Sequence, residues 1–271
     1  MTATTTTANR SIGPLLRTWR RRRHLTQLEL ANLAGVTTRH LSFVETGRSR
    51  PSREMVLHLA EALTVPLRER NDLLLAAGFA PSFRRRELTD ESVEPVRRAL
   101  EQILTGHEPY PAIVVDRHWN LVLANRAAAV LTEDVAAELL EPPANVMRVA
   151  LHPKGLGPRV RNLTAWSDHI IGRIRHEALV TGDAALVALE NELRGLVAEQ
   201  GVTGPVPVDA GRNVAVPLLL DSRRGPLALI TMVATFGTAL DITLSELALE
   251  TFLPADERTS EILHEYARAR V

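Results

Sequence analysis

The sequence predicts a two-domain protein: an all-α domain of five short helices, followed by an α+β domain built on an antiparallel sheet. Three observations lead there. The chain has 271 residues, more than one domain usually holds. Apolar residues recur with a helical period up to about residue 80, and with a strand-like pattern at 111–124 and again beyond 214. Charge divides the chain as well. Residues 1–86 carry 15 arginines against 6 acidic residues, and residues 87–271 carry 17 basic against 26 acidic residues. A formal charge of zero therefore hides halves of +9 and −9, which points to a polyanion as partner of the first half only.

The helices follow in order. The polar tail, residues 1–10, is expected to be disordered and lacks the apolar core of a secretory signal. Helix 1 is expected over Ile12–Arg23, with Ile12, Leu15, Leu16 and Trp19 on one face. Arg20–Arg23 crowd its C-terminal end, where the helix dipole favours positive charge. Thr26-Gln27-Leu28-Glu29 is a capping box that starts helix 2, with Leu30, Ala31 and Leu33 as its core face and Gly35 after it. Thr37 caps helix 3, Leu41 and Val44 point inward, Phe43 is half-exposed and Gly47 ends it. Ser52 caps a fourth helix carrying Met55, Val56, Leu59 and Leu63. Pro66 opens a fifth, with Leu73, Leu74 and Ala77 buried and Gly78 closing it.

Five short helices with a tight turn between the second and third make helix-turn-helix architecture. The stretch LTQLELANLAGVTTRHLSFVETGRSRPS, Leu25–Ser52, resembles the XRE family of phage-repressor-like regulators, within a match over about residues 12–78. That places helix 3 in the major groove of double-stranded DNA, N-terminal residues toward base edges. Thr38, Arg39 and Ser42 are the candidate base contacts, with Thr37 beside them at the helix start. Arg39 leads, since an arginine can grip guanine with two hydrogen bonds. Gln27 resembles the family's phosphate-contacting glutamine, and Arg48 and Arg50 in the following loop are expected on phosphates. His40 could serve either role or neither. By the same resemblance Arg20 and Glu45 form a structural ion pair rather than a DNA contact.

PSFRRRE, Pro81–Glu87, reads as an exposed boundary. The domains are thus expected at 11–80 and 107–271, joined through a linker and connecting helix over 81–106. In that helix Val93, Val96, Leu100 and Leu104 share a face that could also pair with its copy in a dimer. PAIVVD (Pro111–Asp116) and WNLVLA (Trp119–Ala124) read as strands of a hairpin. Asn125 caps a helix, and NVMRVAL is a short helical piece. Two longer helices are expected at Leu163–Val180 and Asp183–Ala198. Strands follow at Val214–Leu220, Leu227–Phe236 and Glu246–Phe252, with a last helix opening at Pro254–Asp256.

Two strands, several helices, then three strands is the order of a PAS-like fold, although the order alone also fits other α+β folds. Asn145–Trp166 and Val233–Glu257 resemble the C-terminal domain of MmyB-like regulators. That resemblance implies a PAS-like ligand-binding domain and a small hydrophobic, fatty-acid-like ligand. Trp119, Met147, Leu151, Trp166, Ile170 and Phe236 are the large apolar candidates for lining a pocket or for plain core. His152, Arg159 and Arg161, in or beside the HPKGLGPR loop, are the cations nearest to hand for a ligand carboxylate.

Other classes find no support. The sequence contains no cysteine, so disulfides and thiolate metal sites are excluded and a cytoplasmic protein is expected. No apolar run reaches the roughly 20 residues of a membrane span. The GLG at 155–157 is not a dinucleotide fingerprint, no GxSxG elbow occurs, and His169 and His176 lack a third metal ligand at a useful spacing. No enzyme, metal or cofactor is therefore expected. The leading reading is a homodimeric, ligand-responsive DNA-binding regulator. The alternatives are a constitutive DNA-binding regulator whose second domain serves only dimerisation or protein docking, and an enzyme fused to a DNA-binding head.

Overall fold

The computed structural model describes residues 11–201, 216–237 and 241–269; the tail at 1–10 and the expected strand start at Val214 lie outside them. The chain forms two compact units that divide mainly between Arg85 and Arg86, with Leu179–Thr181 and Leu240–Ile242 grouped with the first.

The first unit holds α1 (Ile12–Arg22), α2 (Gln27–Leu33), α3 (Thr38–Glu45), α4 (Arg53–Ala62) and α5 (Leu67–Ala76). Their boundaries are set by local chemistry. Thr26 accepts from the Glu29 backbone N–H while Glu29 accepts from that of Thr26, and Thr37 and Ser52 cap α3 and α4 through the N–H groups of His40 and Met55. Leu16, Leu30, Leu41, Leu59, Leu63 and Leu74 are fully buried in one core. Gly13 is required by contact: a Cβ there would stand 2.4 Å from the Glu45 carbonyl oxygen, so only glycine lets α1 approach the end of α3. Gly47 takes φ +74° just beyond α3, a conformation glycine adopts without strain.

One expectation fails here. Leu33 is 61% exposed, because the inward face of the two-turn helix α2 runs through Leu30, Ala31 and Ala34 and leaves Leu33 on its flank. The 81–87 segment is anchored to the first unit at its start. Asn71 Oδ1 accepts from the Ser82 and Phe83 N–H groups (2.9 and 3.1 Å), its Nδ2 donates to the Phe83 carbonyl (2.7 Å), and Arg53 donates to the Ser82 hydroxyl (2.6 Å).

The second unit contains α6 (Glu94–Gly106), β1 (Ala112–Val115), β2 (Leu121–Ala124), α7 (Val146–Leu151), α8 (Leu163–Thr181), α9 (Ala184–Glu199), β3 (Leu218–Ser222), β4 (Gly225–Thr235), α10 (Ile242–Ser245), β5 (Ala248–Pro254) and α11 (Glu257–Arg268). The strands form one antiparallel sheet in the order β2-β1-β5-β4-β3, a PAS-like arrangement in which the last strand inserts beside the first. β1 is buried on both faces. Ala112 and Val114 meet Leu100 and Leu104 of α6, so the face considered for pairing with a second copy is covered by this chain's own sheet. Ile113 and Val115 turn into the main core with Trp166, Ile170 and Leu193.

Three details position the site. Trp119 lies in the hairpin turn, not in a strand, at φ +65°, because Asp116 Oδ1 accepts from the His118 and Asn120 N–H groups and tightens the turn. The helix expected after Asn125 is a 3₁₀ segment, Arg126–Thr132. Asn125 is buried with its hydrogen bonds made: it donates to the Leu104 and Tyr110 carbonyls and accepts from the Ala112 and Ala128 N–H groups.

Candidate functional site

Two regions carry the candidate residues. In the first unit, α3 presents Arg39 outward, with Thr38, His40 and Ser42 half-buried around it. Thr37 spends an oxygen lone pair on the His40 N–H and keeps its hydroxyl proton for another acceptor. The Arg39 guanidinium carbon sits 5.4 Å from the centre of the Phe43 ring, one helical turn on, which restrains the long side chain before any contact is made. Arg48 is exposed. Arg50 reaches the end of α5, where its Nη2 would stand 2.9 Å from a Cβ on Gly78.

Behind this face Arg20 Nε and Nη2 grip the two carboxylate oxygens of Glu45 at 2.7 and 2.9 Å, and Glu45's side chain is wholly buried. Gln27 Nε2 also donates to Glu45 Oε2, at 2.9 Å. One carboxylate thus ties the ends of α1, α2 and α3 together and orients the Gln27 amide. Burial pushes the Glu45 carboxyl up, but the hydrogen bonds from Arg20 and Gln27 and the charges of Arg20 and Arg17 outweigh it and hold the group below the usual carboxylate range.

The second unit contains a partly open cavity of about 340 Å³ between the sheet and helices α7 and α8. That volume lies within the range of small-molecule sites, roughly 300–1,000 Å³. Its walls are mainly apolar: Ile113 and Phe252 from the sheet, Leu131 from the 3₁₀ segment, Met147 from α7, and Trp166 and Ile170 from α8. Five polar residues reach it: Asn125, Arg126, Thr132, Arg173 and Glu250. Arg173 Nη1 and Nη2 both donate to Glu250 Oε1 at 3.1 Å, and Nη2 lies 3.8 Å from Met147 Sδ. The guanidinium stacks 4.2 Å from the centre of the Trp119 ring, whose Nε1 donates to Glu177 Oε2 at 2.8 Å. Burial raises the Glu250 and Glu177 carboxyls above their ordinary range, against the opposing charge of Arg173. Burial, then the charge of Arg173, lowers the His169 imidazole, which stacks on Trp166.

The cavity gathers three of the predicted pocket residues, Met147, Trp166 and Ile170. Trp119 lies beneath Arg173, and Leu151 is packed in the core away from the opening. Phe236 sits beyond the end of β4, 36% exposed, and Phe252 of β5 takes the cavity position instead. The predicted cations are elsewhere. Arg159 spends its guanidinium on the carbonyls of Glu133, Val130 and Asp221, His152 Nδ1 accepts from the Lys154 N–H, and Arg161 is exposed near Asp221. Sequence reasoning missed Arg173 and Glu250. Their signals were present: Trp166, Ile170, Arg173 and Glu177 fall on one face of α8, and Glu250 interrupts the apolar run of β5.

Among the described residues there is no cluster of three or more His, Asp or Glu suited to a metal, and no helix long and apolar enough to cross a membrane.

A five-helix helix-turn-helix unit joined to a PAS-like domain with an apolar cavity defines a DNA-binding transcription regulator with a ligand-binding domain. Residues 16–70 match a helix-turn-helix family model, and residues 96–265 match the model of the MmyB-like transcription regulator ligand binding domain. The chain belongs to that MmyB-like family. Among solved structures it is similar to two of the clp gene regulator ClgR from Corynebacterium glutamicum. One is 30% identical with TM-score 0.23, covering 26% of this chain and 87% of that one. The other is 24% identical with TM-score 0.23, covering 37% and 94%. No curated protein matches the chain.

Proposed function

We propose that the protein is a homodimeric, sequence-specific regulator that reads double-stranded DNA through α3 and senses a small hydrophobic ligand, fatty-acid-like or another metabolite, in its second domain. The cavity carries this reading: a domain serving only dimerisation or docking has no need of an unfilled, mainly apolar cavity of about 340 Å³. Ligand binding shifts the dimer between DNA-competent and DNA-poor arrangements, within the limit set by the ligand's differential affinity for the two. Arg39, Thr38 and Ser42 serve the bases, and Gln27, Thr37, Arg48 and Arg50 the phosphates, with His40 at the margin. No catalytic role is assigned to any residue, and the setting is the cytoplasm.

Native followed by denaturing mass spectrometry of freshly purified protein, with solvent extraction of whatever is lost between them, tests the ligand reading. A reproducible extra mass that extracts as a lipid or apolar metabolite is expected. A protein that carries nothing and takes up no apolar probe would make the constitutive regulator the better account.

A further inference from the structure

The outward face of α3 carries an aromatic ring beside its arginine. With 3.6 residues per turn, Arg39 and Phe43 stand one turn apart on the side opposite Leu41, Val44 and Glu45, the three buried residues of this helix. Phe43 is half-buried, yet it is neither part of the apolar core of the first unit nor packed against it. Its ring lies instead beside the Arg39 guanidinium, whose carbon is 5.4 Å from the ring centre. Two other phenylalanines of this unit are placed differently: Phe79 packs against the core, and Phe83 lies beside Arg70. A ring kept on the outward face of a short helix leaves apolar surface in water, and covering that surface in a complex is favourable.

The major groove of DNA offers one group that suits such a ring. Its base edges present hydrogen-bond donors and acceptors, and thymine alone adds a C5 methyl. A phenylalanine side chain has neither donor nor acceptor, so it serves no phosphate and no polar base edge, whereas ring against methyl removes apolar surface of both from water. The spacing fits a neighbour of the base that Arg39 reads. Four residues of α-helix rise about 6 Å, and successive base pairs about 3.4 Å, so Phe43 falls within roughly two base pairs of the guanine gripped by Arg39. The stack on Phe43 restrains the guanidinium, so the two side chains approach the groove together.

We infer that Phe43 is a specificity-determining residue that reads the methyl group of a thymine close to the guanine held by Arg39. The inference rests on the reading of DNA through α3 given above and narrows it to a site in which a thymine accompanies a guanine.

The test selects the preferred duplex of the full-length protein from a random pool, then replaces each thymine in turn by deoxyuridine, which removes the methyl and nothing else. Affinities are measured at one fixed salt concentration. A replacement close to the guanine whose selection is relaxed in Arg39→Ala should weaken binding about fourfold, the transfer value of one buried methyl group. In Phe43→Ala that penalty should vanish, while Phe43→Leu, which keeps an apolar contact without the ring, should retain most of it. Melting temperatures identify a variant that fails to fold, and the wild-type scan decides without it: if no thymine near that guanine responds, Phe43 reads no methyl and the inference falls. A deoxyuridine penalty that persists in folded Phe43→Ala assigns the methyl to another residue and overturns the inference while sequence reading through α3 stands. If selection yields no preferred duplex, the base-reading role of α3 itself falls, and this inference with it.

Discussion

At the scale of single residues, Glu45 has the largest predicted effect on stability. Its carboxylate is wholly buried and holds Arg20 and Gln27 at once. Removing one partner of a buried pair strands the other, at about 3–5 kcal/mol. Glu45→Ala should therefore destabilise the first unit by that amount, read from the denaturant midpoint of the full chain. Glu45→Gln separates charge from shape. The folded carboxyl lies below its ordinary value of 4.5, so its stabilising contribution is complete above that value and is lost as pH falls through the lower, folded pKa. Wild type should lose stability steeply below about pH 4.5, and Glu45→Gln should start lower at neutral pH and fall less steeply; parallel curves would sink this account. The Arg20–Glu45 pairing was legible only through family resemblance, because 25 residues separate the two and no local pattern links them. Arg173 and Glu250 were missed for a related reason: 77 residues part them, and it is the pairing of β5 between β1 and β4 that brings Glu250 under α8.

At the scale of elements, α3 divides its work between ends and faces. Leu41 and Val44 anchor it, Thr37 caps it, and Arg39 stands off the opposite side over Phe43. Arg39→Ala should cost about 1–3 kcal/mol against the preferred site and relax selection at one base pair. Arg48→Ala should weaken all DNA alike and reduce the salt slope by about one unit. Binding measured over a panel of single-base variants separates them; an unchanged preference in Arg39→Ala would mean that another residue of α3 faces the bases. The elements themselves were largely readable, because caps, glycine stops and period-3.6 stripes are local signals. Leu33 was misplaced because a two-turn helix has too few positions to define its inward face. The helix α10 and the anchoring of Ser82 and Phe83 by Asn71 were not seen, since short helices and polar anchors depend on neighbours that the sequence does not order. Trp119 reads as a strand residue by type, but the hydrogen bonds of Asp116 overrule that propensity.

At the scale of the whole molecule, the charge split visible in the sequence and the two-unit division agree, yet neither says that the units communicate. Thermodynamics supplies the test. If a ligand in the cavity changes DNA affinity by some factor, DNA must change ligand affinity by the same factor, because coupling between two binding equilibria is reciprocal. Regulatory couplings usually amount to about 1–3 kcal/mol, or roughly 5- to 150-fold. A saturating apolar ligand should therefore shift the midpoint of DNA binding by a factor within that range, and saturating DNA should shift the midpoint for that ligand by an equal factor in the corresponding direction. Unequal factors would show that the ligand acts elsewhere, for instance by dissociating a dimer. Two factors of one, with the ligand demonstrably bound, would leave a regulator that holds a ligand without responding to it, and the cavity would then matter for the stability of its domain rather than for control of DNA.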